Sequence, residues 1–144
     1  MRALERLNEK ANVWLKEMML ELGTNDPERA LHAMRAGLHA LRDRLTIEEA
    51  VQLSAQLPVL IRGLYFENWR PVGKPLRIRN QREFLALVAA HCGPPNDFYA
   101  DDVIRALFHV LRRHVSEGQL TDVVMGLPAP LAALVGACHE TTDN

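Results

Sequence analysis

Apolar residues recur along this chain with the period of a helix. Leu4, Leu7, Ala11, Trp14 and Met18 fall three or four positions apart, the signature of one buried helical face. Gly23 then stands where a helix C-cap is expected, and Asp26-Pro27 reads as an N-cap followed by proline at the first helical position. Met34, Leu38, Leu41 and Leu45 line a second helix. Thr46-Ile47-Glu48-Glu49 has the form of a capping box, which opens a third helix carrying Ala50, Leu53, Ser54 and Leu57. Pro58 cannot lie deep in a helix without removing a hydrogen bond. It marks either a sharp kink or the first residue of a fourth helix with Ile61, Leu64 and Tyr65.

The same grammar returns later. Asn80 to Glu83 is a capping pattern ahead of Phe84, Leu85 and Val88, and Gly93-Pro94-Pro95 ends that helix. Ile104, Leu107, Phe108, Leu111 and Val115 form the next apolar face. Ser116-Glu117-Gly118-Gln119 opens another helix, and Gly126 and Pro128 separate the last two. No window alternates strictly, and no Asn-Gly or Asp-Gly turn joins two apolar runs, so a sheet is not expected.

Moved by 70 residues, the chain matches itself without a gap. Leu57-Pro58 falls on Leu127-Pro128, Arg35-Ala36 on Arg105-Ala106, His39 on His109 and Leu41-Arg42 on Leu111-Arg112. Conservative pairs fill in the rest, among them Trp14 with Phe84, Met34 with Ile104 and Thr46 with Ser116. The expected fold is all-α: two tandem copies of a roughly four-helix unit, residues 14–65 and 84–135, packed as one pseudo-twofold domain. Residues 66–83 join the copies. With two prolines, a glycine and no helical period up to Arg79, they read as a structured linker over the surface.

Certain short stretches carry a family resemblance. They are Leu45-Thr46-x-x-Glu49-Ala50, Gln56-Leu57-Pro58, and Arg62-Gly63-Leu64-Tyr65 leading into Glu67-x-Trp69-x-Pro71. In the second half they are Glu83-Phe84-Leu85-x-x-Val88 and Glu117-Gly118-Gln119-Leu120-x-Asp122-Val123. Across about Val13 to Val135 the chain resembles the bacterial family known as domain of unknown function 2267. The resemblance implies an all-helical duplicated domain and no particular reaction. Gly126 departs from the family pattern, which often has glutamine before this Leu-Pro, and Pro130 is unusual in the last helix.

Composition narrows the function classes. The 144 residues are 48% hydrophobic and 24% charged, with formal net charge -1. A dedicated nucleic-acid binder draws affinity from a basic excess, which is missing overall, so nucleic acid is an unfavoured partner. The charged start Met1-Arg2-Ala3-Leu4-Glu5-Arg6 is unlike a signal peptide, and no run is long enough to cross a bilayer. Two cysteines, Cys92 and Cys138, are too few for a disulfide framework, and each sits in an apolar helical stretch as a buried thiol would. A cytoplasmic location is expected. The polar tail after Glu140 is expected to fray.

Two features carry candidate chemistry. Arg35, His39 and Arg42 lie at i, i+4 and i+7 and share a helix face, extended by His32; Arg105, His109 and Arg112 repeat the stripe. A twofold arrangement would bring the stripes together as a cationic groove for an acidic peptide, a phosphate or a nucleic-acid backbone. The plainer alternative is a solvated face with weak ion pairs to Glu48, Glu49, Glu117 or Asp122. The linker is the second feature. Arg70, Lys74, Arg77, Arg79 and Arg82 cluster beside Phe66 and Trp69, an arrangement able to hold a strand by charge and stacking. Its plainer alternative is that the aromatics pin the loop to the core while the charges keep it soluble.

Little points elsewhere. His91-Cys92, Cys138-His139, His109 and His114 lack the paired spacing of a zinc site. There is no nucleophile elbow and no Walker loop. A helix–turn–helix over Leu41 to Leu57 would turn Glu48 and Glu49 toward phosphates, which is repulsive. The sequence therefore leans away from an enzyme and from any cofactor. It favours a non-catalytic helical interaction module for a protein partner or a second copy, with anionic-ligand or nucleic-acid binding by the stripes and linker as the alternative.

Overall fold

The computed structural model describes residues 2–94 and 98–140, with side chains as far as Gly136. The described residues form eight helices and no strand. They are α1 (Arg2–Leu22), α2 (Pro27–Arg44), α3 (Ile47–Ser54), α4 (Val59–Phe66), α5 (Gln81–Cys92), α6 (Ala100–His114), α7 (Glu117–Met125) and α8 (Ala129–Glu140). None is long and apolar enough to cross a membrane among the described residues.

The helix ends follow from local chemistry. The α1 terminus is closed by Gly23 at φ 68°, where its N–H donates to Leu20 and that of Thr24 to Met19. This double bond satisfies carbonyls that would otherwise lack partners, and the left-handed backbone is cheap only for glycine. Asp26 caps α2 by accepting from the Glu28 and Arg29 N–H groups, with Pro27 in the first turn. Thr46 and Glu49 complete a reciprocal capping box on α3. Of the two readings of Pro58, the second is the nearer. α3 stops at Ser54, and Pro58 is the N-cap residue of α4, its carbonyl taking the Arg62 N–H. Asn80 and Ser116 cap α5 and α7 through their side chains.

Several helix ends fall 70 residues apart. α3 and α7 start at Ile47 and Glu117, α4 and α8 at Val59 and Ala129, while α2 and α6 end at Arg44 and His114. The packing follows the same correspondence. α1 lies on α2, α4 and α6; α5 lies on α6, α8 and α2; α2 meets α6, and α3 meets α7. One contiguous core runs through both halves, from Trp14, Met18 and Met34 to Ile104, Leu107 and Leu131. The α1 seam is buried at Trp14 and Met18 and partly buried at Ala11, while Leu4 stays exposed.

Two contacts join corresponding elements of the halves. Gly37 of α2 meets Leu107 of α6, its own counterpart, closely enough that a Cβ would lie 3.1 Å from Leu107 Cδ2. Beyond the end of α3, Gln56 reaches the start of α7: its Oε1 accepts from the Ser116 N–H at 2.6 Å, and its Nε2 donates to Ser116 Oγ at 3.2 Å. The position 70 residues on is Gly126, where no side chain can return the favour. A Cβ there would run into the Glu49 carboxylate, which occupies that space while it serves Thr46. Glycine at 126 thus leaves room for that capping box.

Between the halves the linker is pinned, as its aromatics suggest. Phe66 and Trp69 pack on the core with ring centroids 5.2 Å apart. The Leu76 N–H donates to the Asp43 carbonyl at 2.8 Å, and Arg44 Nε donates to the Ile78 carbonyl at 2.6 Å.

Candidate functional site

The first arginine stripe meets the C-terminal end of α4. The last carbonyls of a helix have no partners within it and carry partial negative charge. His39 donates from Nε2 to the Leu64 carbonyl at 2.6 Å. Arg42 Nη1 donates to the carbonyls of Tyr65 at 2.8 Å and Glu67 at 2.9 Å. Arg42 Nε binds Asp43 Oδ1 at 2.8 Å, in an ion pair 3% and 9% exposed. Arg35, half-exposed, pairs with the Glu67 carboxylate at 3.0 Å. In this half the stripe is therefore largely buried rather than a solvated face, and its acids are Asp43 and Glu67.

Beyond Glu67 the backbone turns at Asn68, with φ 58°, and the linker passes over the stripe. This turn carries Arg70 and Lys74 to the stripe, and α5 adds His91. The result is a polar pocket of about 400 Å³ lined by Arg35, His39, Arg42, Asp43, Glu67, Asn68, Arg70, Lys74 and His91. Arg35 and Arg42 pair with Glu67 and Asp43, and Lys74 stands near enough to Asp43 to act on it electrostatically, so that four cations share two carboxylates. His91 Nε2 is buried and lies 3.4 Å from Asp43 Oδ2 without an aligned hydrogen bond. Its ring packs edge-on to His39 at 5.6 Å.

Titration follows from these surroundings. Burial lowers the His39 pKa, and the neighbouring Arg42, His91 and Arg35 add to the effect against the Leu64 bond; the balance favours the neutral ring. Burial works to raise the Asp43 pKa, but His91 and the Arg42 guanidinium outweigh it and hold the carboxyl at about 2. Glu21, on α1, is also held below the usual carboxylate range; burial opposes this, and His109 and Arg113 prevail.

All three shifts make the fold less stable in acid than at neutral pH. A depressed folded-state pKa gives stability that is complete above the unfolded value and is lost as pH falls through the folded one. His39 begins to cost stability below about pH 6.5, and Glu21 below about pH 4.5. Asp43 loses about 2 kcal/mol between about pH 4 and pH 2. Urea midpoints measured from pH 7 to pH 2 are expected to fall throughout. Asp43→Asn is expected to flatten the slope below pH 4, and an unchanged slope would show that Asp43 is not the titrating group.

The second stripe has other partners. Arg105 pairs with Asp101 at 2.7 Å on its own helix, and His109 Nδ1 meets Glu21 of α1 at 2.9 Å. Next to them Arg113 and His114 meet Glu21 and Glu17, and Trp14 stacks on His114 at 4.9 Å. Arg112, with Glu117, also lines a largely apolar hollow. The stripes therefore engage different acids, and the pocket contains residues of the first alone. Arg77, Arg79 and Arg82 are exposed and outside it. Trp69 supports the loop from below, partly buried.

Sequence reasoning did not single out Asp43, Asn68 or Glu67 as site residues, and it weighed His91 only as a metal ligand. Adjacency of Asp43 to Arg42 was the one available signal. His91 and Cys92 diverge: Cys92 is a free, buried thiol whose carbonyl meets His32, while His91 faces Asp43. The Cys138-His139 pair lies outside the described side chains. Among the described residues no group of three His, Cys, Asp or Glu side chains is placed to hold a metal ion.

One protein-family model, described as "Uncharacterized conserved protein (DUF2267)", matches residues 11–134. No curated protein matches the chain.

Proposed function

Because the chain belongs to the uncharacterised DUF2267 family, whose description states no activity, we propose a function from the geometry alone: a non-catalytic binding module that holds an anionic group in the pocket between α2, the linker and α5. The observation that carries this is convergence. Arg35, His39 and Arg42 from one candidate feature and Arg70 and Lys74 from the other line the same 400 Å³. The lining carries four arginine and lysine cations against the two carboxylates of Asp43 and Glu67, and the buried His91 Nε2 lies 3.4 Å from Asp43 Oδ2 without an aligned hydrogen bond. Guanidinium and ammonium groups fixed around a cavity favour phosphate or carboxylate oxygens. The lining holds no serine, threonine or cysteine to act as a nucleophile.

The anionic group would be a free phosphate or an acid carried on a protein partner. Extended nucleic acid suits the pocket less well, since the net charge is -1. The same reading treats residues 14–65 and 84–135 as duplicated units about a pseudo-twofold axis, supported by the matched helix ends and the Gly37–Leu107 meeting. Among the described residues the pocket belongs to the first unit, where the linker completes it. A reducing compartment such as the cytoplasm suits the free thiol of Cys92.

Calorimetric titration at low salt tests the reading with two probes, inorganic pyrophosphate and a short glutamate-rich peptide. At least one is expected to bind with a Kd on the order of 1 mM or tighter. Arg70→Ala/Lys74→Ala, which removes two of the four cations of the lining, is expected to weaken binding about tenfold or more. Raising the salt should weaken it further. Tighter binding of pyrophosphate assigns the site to a free phosphate, and tighter binding of the peptide assigns it to a protein partner. Failure of both probes, or equal affinity in the double variant, overturns the proposal.

A further inference from the structure

A second hollow, of about 370 Å³, lies between α6, α7 and α8, away from the cationic pocket. Its apolar walls are Phe108, Val115, Leu120, Val124, Met125 and Val135. In the first half an aromatic ring stands at the corresponding place. There Tyr65 is completely buried, its hydroxyl donating to the Ala50 carbonyl at 2.9 Å, and Phe66 packs edge-on to it at 5.0 Å. Seventy residues on, these two aromatics are replaced by Val135 and Gly136. Leu120 in place of Ala50 and Val124 in place of Ser54 return part of the lost volume, and the rest remains as the hollow.

We propose that this hollow is a binding site for a flat, uncharged aromatic molecule of one or two fused rings. The occupant is argued from what fills the equivalent space: two aromatic rings, one of them fully enclosed. The volume lies within the range of small-molecule pockets. The site is independent of the anionic-group reading, since the two pockets share no residue.

Methyl-resolved NMR titration with indole tests the proposal in the full chain. Indole is expected to shift the Val115, Leu120, Val124 and Val135 methyl signals saturably, with a Kd on the order of 1 mM or tighter. Two variants close the hollow. Val135→Tyr restores the ring of the first half, and Gly136→Phe restores its neighbour. A Cβ at Gly136 meets nothing within 4 Å and φ there is not positive, so the second variant should fold even if the first does not. Each folded variant is expected to weaken indole at least tenfold. No saturable shift in the unsubstituted protein overturns the proposal, as does equal affinity in Gly136→Phe.

Discussion

Replacing Gly37 by leucine, the residue at the matching position of the second half, is expected to destabilise the protein by about 2–3 kcal/mol. A Cβ at Gly37 would already stand 3.1 Å from Leu107 Cδ2 and 3.4 Å from Val103 Cγ1, and three further carbons have nowhere to go. Better helix propensity returns up to about 1 kcal/mol, which is too little to offset the clash. The melting temperature should fall by roughly 5–10 °C. The decisive comparison is a double-mutant cycle. Leu107→Ala should cost about 3 kcal/mol in the natural background and less than about 1 kcal/mol beside Leu at 37, because it then relieves an overfilled crossing. Equal costs in the two backgrounds would mean that the residues do not meet.

The second large effect separates the two stripes. Arg42→Met is expected to cost about 3–5 kcal/mol, since it strands Asp43 in a buried site and frees two carbonyls at the end of α4. Arg105→Met removes an exposed pair on a single helix and is expected to cost no more than about 0.5 kcal/mol. Chemical denaturation of the two variants checks the contrast. Similar losses would contradict the buried role assigned to Arg42.

The eight helices were legible because their signals are local. Gly23, Asp26-Pro27, the Thr46–Glu49 box, Asn80 and Ser116 each satisfy backbone groups within a few residues, so sequence alone places them. Pro58 was ambiguous because a proline that kinks a helix and one that begins a helix look alike until the end of α3 is known. The candidate site was legible in its parts and not in its assembly. Periodicity puts Arg35, His39 and Arg42 on one face, but only tertiary structure shows that this face caps α4. Similarly, the linker's charges are plain in the sequence. Its path over α2 depends on the Asp43–Leu76 and Arg44–Ile78 bonds, which join residues more than thirty positions apart. The aromatic hollow is a difference between two halves, visible only once the space around Tyr65 is compared with that around Val135.

The most direct measurement is an NMR titration with pyrophosphate that follows the histidine ring and arginine side-chain signals together. The account predicts saturable shifts at His39, His91 and Arg35, with His109 and Arg105 unmoved. Equal shifts in both stripes, or movement confined to the second, would contradict a single cationic site between α2, the linker and α5.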